Sequence, residues 1–161
     1  MPEKQTLMHM QSAVQEAIDG VKCGDGGPFG AIIVNSDGKV VAQAHNEVLI
    51  SNDPTAHAEV TAIRKACKEL NTFRLDGCDI YTSCYPCPMC MGACLWSGLR
   101  RVYYAGTKED AAGVGFGDAE FHDVLKSEES QGKFCIAAPL KNGEHLMPFN
   151  MWKEKQDKIP Y

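Results

Sequence analysis

The stretch Ser83–Cys94, "SCYPCPMCMGAC", places four cysteines (Cys84, Cys87, Cys90 and Cys94) within eleven residues. Thiolates this dense hold metal, and two chemistries fit the spacing. C-x2-C-x2-C-x3-C is the ligand run of a ferredoxin-type iron–sulfur cluster, which moves electrons. The inner pair, preceded by proline, is half of a site that holds one zinc ion and activates water.

Two residues upstream separate these readings. In "PTAHAEV", His57 stands thirty positions before Cys87, and Glu59 follows two residues later. One imidazole and two thiolates give zinc three protein ligands and leave a fourth position for water. Such a site needs a base to take the water's proton and an acid to pass it to a departing amine. Glu59 can do both in turn. Cys87 and Cys90, three apart in the opening turn of a helix, lie on one face. The helix N-terminus there favours thiolate over thiol, and Pro86 is tolerated in a first turn. In a regular helix His57 and Glu59 point about 200° apart, so only a site facing the helix end collects both.

Each residue also has a plain structural reading. His57 precedes Val60 by three on an apolar stripe and alone reads as a buried histidine. Glu59 alone reads as a solvated helix residue, Cys67 and Cys94 as packing, and Cys23, Cys78 and Cys135 show no ligand spacing. What selects zinc is the joint occurrence of H-x-E and P-C-x-x-C at the starts of two helices with a strand between. The iron–sulfur reading ranks second. Leu95, not proline, follows the fourth cysteine, no second cysteine set exists, and His57 and Glu59 go unused.

The rest of the chain must supply those helices. Leu7, Met10, Val14, Ala17, Ile18 and Val21 recur at helical spacing, predicting an amphipathic helix from about Gln5 to Lys22. "GDGGPFG" is a loop, and "AIIV" and "KVVAQA" flank the turn signal "NSDG", which predicts a hairpin. "NDPTAHAEVTAIRKACKEL" reads as a helix capped by Asp53, with Pro54 in its first turn and Val60, Ile63, Cys67 and Leu70 as its stripe. "CDIYTSC" and "RRVYYAG" read as strands around a helix that begins at a proline of "PCPMCMGACLWSG". The tail predicts a helix near Phe121–Leu125, a strand at Phe134–Ala138 and a helix after Pro148. "GVGFG" reads as a plain connection and not a dinucleotide loop, since no strand immediately precedes it. The alternation argues for an α/β sandwich with a partly parallel sheet.

With 161 residues, 44% apolar and 23% charged, the chain suits one domain with its own core. A net charge of −5 and no long basic stripe count against nucleic acid as a partner. No apolar run approaches membrane length and the N-terminus lacks an apolar leader core, so we expect no membrane partner. A cytoplasmic location follows as an expectation, one in which eight cysteines signify metal or packing and not disulfides.

"GGPFGAIIV", Asn46-x-Val48, "SNDPTAHAEVTAIRKAC", "YTSCYPCPMCMGA", "GFGD" and "EHLMPF" occur in that order. By these motifs nearly the whole chain resembles the cytidine-deaminase-like superfamily and, within it, the guanine deaminase branch. The resemblance implies a three-layer α/β/α fold with a central mixed five-stranded sheet, as one deaminase domain over residues 1–161. It implies one Zn2+ per subunit on His57, Cys87 and Cys90, and hydrolysis of guanine to xanthine and ammonia. Glu59 would shuttle the proton, with Asp118 and Glu144 assisting. Phe29, Asn46, His57, Ala58 and Tyr161 would contact a small nucleobase. A carboxylate suits guanine, whose N1–H and 2-amino group are both donors. The same resemblance implies a homodimer that exchanges a C-terminal segment from about residue 140 to 161, with Tyr161 as a lid. Tyr85 departs from the branch, where glutamate commonly precedes the Pro-Cys pair. Guanosine, ammeline, cytosine and adenosine in tRNA are the alternative substrates.

Overall fold

Gly30, Ala31, Ile32, Ile33 and Val34 form a strand (β1, Gly30–Val34) buried on both faces, as an uninterrupted apolar run requires. It is preceded by a long helix (α1, Glu3–Cys23) and pairs antiparallel with β2 (Val40–His45). The computed structural model describes residues 3–126, 140 and 142–160. These fall into two units, Met1–His122 and Asp123–Tyr161.

In the first unit, β1 also pairs antiparallel with β3 (Asp79–Cys84), and β3 pairs in parallel with β4 (Arg101–Gly106). Among the described residues the mixed sheet therefore has four strands in the order β2-β1-β3-β4. This corrects the expected five: the remaining candidate, Phe134–Ala138, lies outside the described residues. A short helix (α2, Val48–Ser51), α3 (Ala58–Glu69), α4 (Pro88–Trp96), α5 (Lys108–Gly113) and α6 (Ala119–Val124) complete the series.

Strand alternation divides the core in two. Ile32, Val34 and Tyr81 meet Ala13 of α1 on one face. Ala31, Ile33 and Ile80 meet Ala58, Ala62 and Ala66 of α3 and Cys94 of α4 on the other. Helices thus cover both faces, giving three layers. α1 approaches so closely that a Cβ at Gly30 would lie 2.2 Å from the Ala13 carbonyl oxygen. The parallel pair is tied at its base by fully buried Asp79, whose carboxylate accepts from Arg100 Nε at 2.9 Å and from Nη2 at 2.7 Å.

Two expectations for α3 are corrected. Asp53 does not cap it; its Oδ1 accepts from the Thr55 N–H at 2.8 Å and hydroxyl at 2.7 Å, a local turn that competes with helix. The helix begins four residues later, with His57 at the N-cap. The expected stripe of Val60, Ile63, Cys67 and Leu70 holds in part, since Ile63 and Cys67 pack half-buried against the core, but the fully buried line is another one. It runs through Ala58, Ala62 and Ala66, spaced four apart, because small side chains let the helix sit close to the sheet. Leu70 is exposed. At α4 the first-turn proline is Pro88 rather than Pro86, and Cys87 is the N-cap.

The second unit contains α7 (Met147–Glu154), the helix expected after Pro148. Phe149, Met151 and Trp152 on it are exposed.

Candidate active site

Both metal-ligand motifs sit at helix starts, as N-caps with extended backbone. His57 has ψ 154° before α3, and Cys87 has ψ 168° before α4. Each carbonyl opens its helix, accepting from Thr61 N–H and Met91 N–H respectively, both at 2.9 Å. Neither side chain is used for capping, so both are available to a ligand. This placement also resolves the divergence of His57 and Glu59. His57 lies outside the helix proper and Glu59 inside its first turn, so the two need not follow helical spacing.

His57 Nδ1 is 3.5 Å from Cys87 Sγ and 3.5 Å from Cys90 Sγ. Bonds of about 2.3 Å to sulfur and about 2.1 Å to nitrogen at a tetrahedral angle place S and N about 3.6 Å apart. The three donors therefore fit one zinc ion by type and by separation. All three ligand atoms lie within 4.8 Å of one another.

The other two cysteines of the run are engaged elsewhere. Cys84 Sγ donates to the Thr107 carbonyl at 3.2 Å, and Cys94 belongs to the core. The ferredoxin spacing therefore does not become a four-sulfur cluster.

Electrostatics agree with a ligand pair inside the run. Hydrogen bonding from Cys90, with desolvation opposing and His57 adding, holds the Cys87 thiol down to about 4. The neighbouring Cys87 thiolate and burial push Cys90 strongly up. His57 is raised by its contact with Cys87. Burial pushes Cys94 up to about 12, leaving a neutral packing thiol.

Glu59 is 6% exposed, and burial pushes its carboxyl up. It senses Cys90, Cys87 and His57, so it lies beside the triad. The Thr82 hydroxyl donates to the Cys84 carbonyl at 2.8 Å and sits 3.3 Å from Glu59 Oε1. Thr82 is a site neighbour that sequence spacing had no way to flag, since it lies on a strand and reads as one more β-branched residue.

Around this centre, the Asn46 side chain is buried, and its Oδ1 accepts from Gly27 N–H and Val48 N–H, both at 3.2 Å. The amide orientation is thereby set, leaving Nδ2 as a donor. A Cβ at Gly26 would stand 2.1 Å from that Oδ1, so the loop must carry glycine. Phe29 meets Phe116 edge to face, centroids 5.1 Å apart. Phe116 lies in the segment read as a plain connection. Ala58 is fully buried as the first residue of α3.

Asp118 is half-buried, with Oδ2 3.2 Å from His122 Nε2, and its charge acts on the Cys84 thiol together with that of Glu59. Glu144 belongs to the second unit, where it is exposed and its carbonyl accepts from Met147 N–H at 2.8 Å. Tyr161 lies outside the described residues.

A three-layer α/β/α sandwich that gathers His, Cys and Cys at two helix starts beside a buried glutamate defines a zinc hydrolase scaffold. Residues 2–106 match the family described as the cytidine and deoxycytidylate deaminase zinc-binding region, and the chain belongs to that family. It is 48% identical over 153 residues to guanine deaminase of Bacillus subtilis strain 168, covering 94% of this chain and 96% of that protein. An X-ray structure of guanine deaminase from Bacillus subtilis superposes with TM-score 0.91 at 44% identity, covering 100% of this chain and 99% of that one. The tRNA-specific adenosine deaminase of Agrobacterium fabrum is 41% identical over 130 residues, covering 81% of this chain and 84% of that protein. No helix among the described residues is long and apolar enough to cross a membrane.

Proposed function

We propose that this chain hydrolyses guanine to xanthine and ammonia. The observation that carries the reading is the His57–Cys87–Cys90 triad with Glu59 buried beside it. Zinc held by those three side chains would supply a Lewis acid that makes water nucleophilic near neutral pH.

The remaining steps belong to the chain. Glu59 takes one proton from the attacking water and returns it to the exocyclic nitrogen, which departs as ammonia. A burial-raised carboxyl suits both halves of that exchange, because it gives up and regains a proton closer to neutrality than an exposed glutamate. The Asn46 Nδ2 donates to a ring acceptor of the base, Ala58 contacts the base beside His57, and Phe29 packs on its face. The Asp118 and Glu144 carboxylates would accept from the guanine edge and assist proton transfer, with Tyr161 of the partner subunit as a lid.

Likeness to guanine deaminase over nearly the full chain supports guanine over tRNA adenosine, as does the net charge of −5. Residues 1–161 form one deaminase domain in this reading, and the exposed apolar side chains of α7 support a homodimer that exchanges its C-terminal segment. The seven described cysteines, all unpaired, support a cytoplasmic location. The deciding experiment is ammonia release from guanine, guanosine, ammeline, cytosine, adenine and tRNA. Release from guanine at least tenfold above the others is expected, and preference for any other substrate overturns the assignment.

A further inference from the structure

Tyr85 directly follows the end of β3 and stands two residues before Cys87, and its surroundings lead to Asp118. Its N–H donates to the Gly106 carbonyl at 2.9 Å, which fixes it at the mouth of the parallel strand pair. Its ring meets Tyr104 edge to face at 5.0 Å, and Lys108 Nζ stands 4.6 Å over its centroid. The His122 ring approaches at 6.3 Å, tilted by 50°. His122 lies on α6, the helix that begins directly after Asp118, and the Asp118 carbonyl accepts its N–H at 3.2 Å. The Nε2 atom of His122 is closed off from solvent, and no hydrogen-bond acceptor lies in line with it among the described residues. Its ion-pair contact is Asp118 Oδ2, off axis at 3.2 Å.

A buried ring nitrogen without an aligned acceptor is costly, and the 3.2 Å contact with the Asp118 carboxylate offsets part of that cost. What that contact restricts is the Asp118 carboxylate. His122 Nε2 stands 3.2 Å from Oδ2, so the imidazole faces that oxygen, and Oδ1 is the oxygen offered to a donor on a ligand. Tyr85 limits how far the imidazole can swing, and Lys108 limits the tyrosine. Phe116, two residues before Asp118, lies against Phe29.

We propose that His122 is a positioning residue that orients Asp118 toward the base, with Tyr85 as its backstop. This rests on the reading of the chain as a guanine hydrolase in which Asp118 meets the guanine edge. It makes the Tyr85–His122–Asp118 relay a determinant of which base is accepted.

The test is a double-mutant cycle on the zinc-loaded full chain with guanine, using His122→Phe, Asp118→Asn and the pair, alongside His122→Gln. Zinc content and melting temperature are read for every variant. We expect His122→Phe to lower kcat/KM about tenfold, the loss of one charge-assisted contact, with zinc retained. His122→Gln, whose amide N–H can be placed against Oδ2, should recover most of that loss. In the Asp118→Asn background, His122→Phe should add less than about twofold. Equal losses in both backgrounds, or no rescue by glutamine, would overturn the role of His122 while leaving the hydrolase reading intact. Absence of guanine turnover in the unmodified protein would overturn both.

Discussion

Replacing Glu59 by glutamine tests the chemistry with the least disturbance of the structure. Glutamine has nearly the same volume, and its amide can still face the Thr82 hydroxyl, 3.3 Å from Glu59 Oε1. The three ligand atoms are untouched, so zinc should stay at one per chain. What disappears is the proton carrier. General acid–base transfer is worth about 10²–10⁴ in rate, or about 3–5 kcal/mol of barrier at 1.36 kcal/mol per tenfold. We therefore expect kcat for guanine to fall about a thousandfold with little change in KM.

The variant has a second signature with a worked sign. Burial raises the Glu59 carboxyl above its ordinary value near 4.5, so folding favours its protonated form. That contribution is fully present below the unfolded-state value and is lost as pH rises through the folded one. Glutamine has no proton to lose. The melting temperature of metal-free Glu59→Gln should therefore exceed that of the metal-free parent at neutral pH, and the gap should close toward pH 4. Stopped-time ammonia assays, metal analysis and calorimetry across pH supply the readouts. Turnover within tenfold of the parent, or a melting gap that widens on acidification, would refute the reasoning.

Three further outcomes follow from the same geometry. Cys87→Ser and Cys90→Ser should each lose zinc by metal analysis, whereas Cys84→Ser and Cys94→Ser should retain it, the latter with about 1–3 kcal/mol lower stability in urea from a buried hydroxyl without a ready partner. Arg100→Ala should destabilise the fold by about 3 kcal/mol in urea, because the fully buried Asp79 carboxylate loses its partner; a loss below about 1 kcal/mol would refute that pairing as a contributor to stability. Phe116→Ala should raise KM for guanine about two- to tenfold through loss of the edge contact to Phe29, with zinc content unchanged.

The metal triad was legible because its requirements are local. Two thiolates three apart need only one helical turn, and a histidine with glutamate two residues on needs only a second helix start. The hairpin, the strands ending at Cys84 and Gly106, and the helix after Pro148 were legible for the same reason. The start of α3 was misread because Asp53 satisfies a turn as readily as a helix cap. Its buried face was misread because close sheet packing selects alanines over larger apolar residues, a preference that no periodicity of bulky side chains displays. Thr82 and Phe116 escaped because each meets a partner on another element.

By itself the sequence determined which atoms could bind zinc and which carboxylate could move a proton, since ligand chemistry depends on residue type and short spacing. The pair Cys87 and Cys90 was already legible in the sequence; only the tertiary structure shows how the other two are occupied and how far the histidine stands from the pair. Cys84 is drawn off by the Thr107 carbonyl at 3.2 Å and Cys94 by the core, while His57, thirty residues upstream of Cys87, arrives 3.5 Å from the remaining pair. The physical reason is that a metal site is a meeting in space. The sheet brings the starts of α3 and α4 together, and separation along the chain says nothing about that distance.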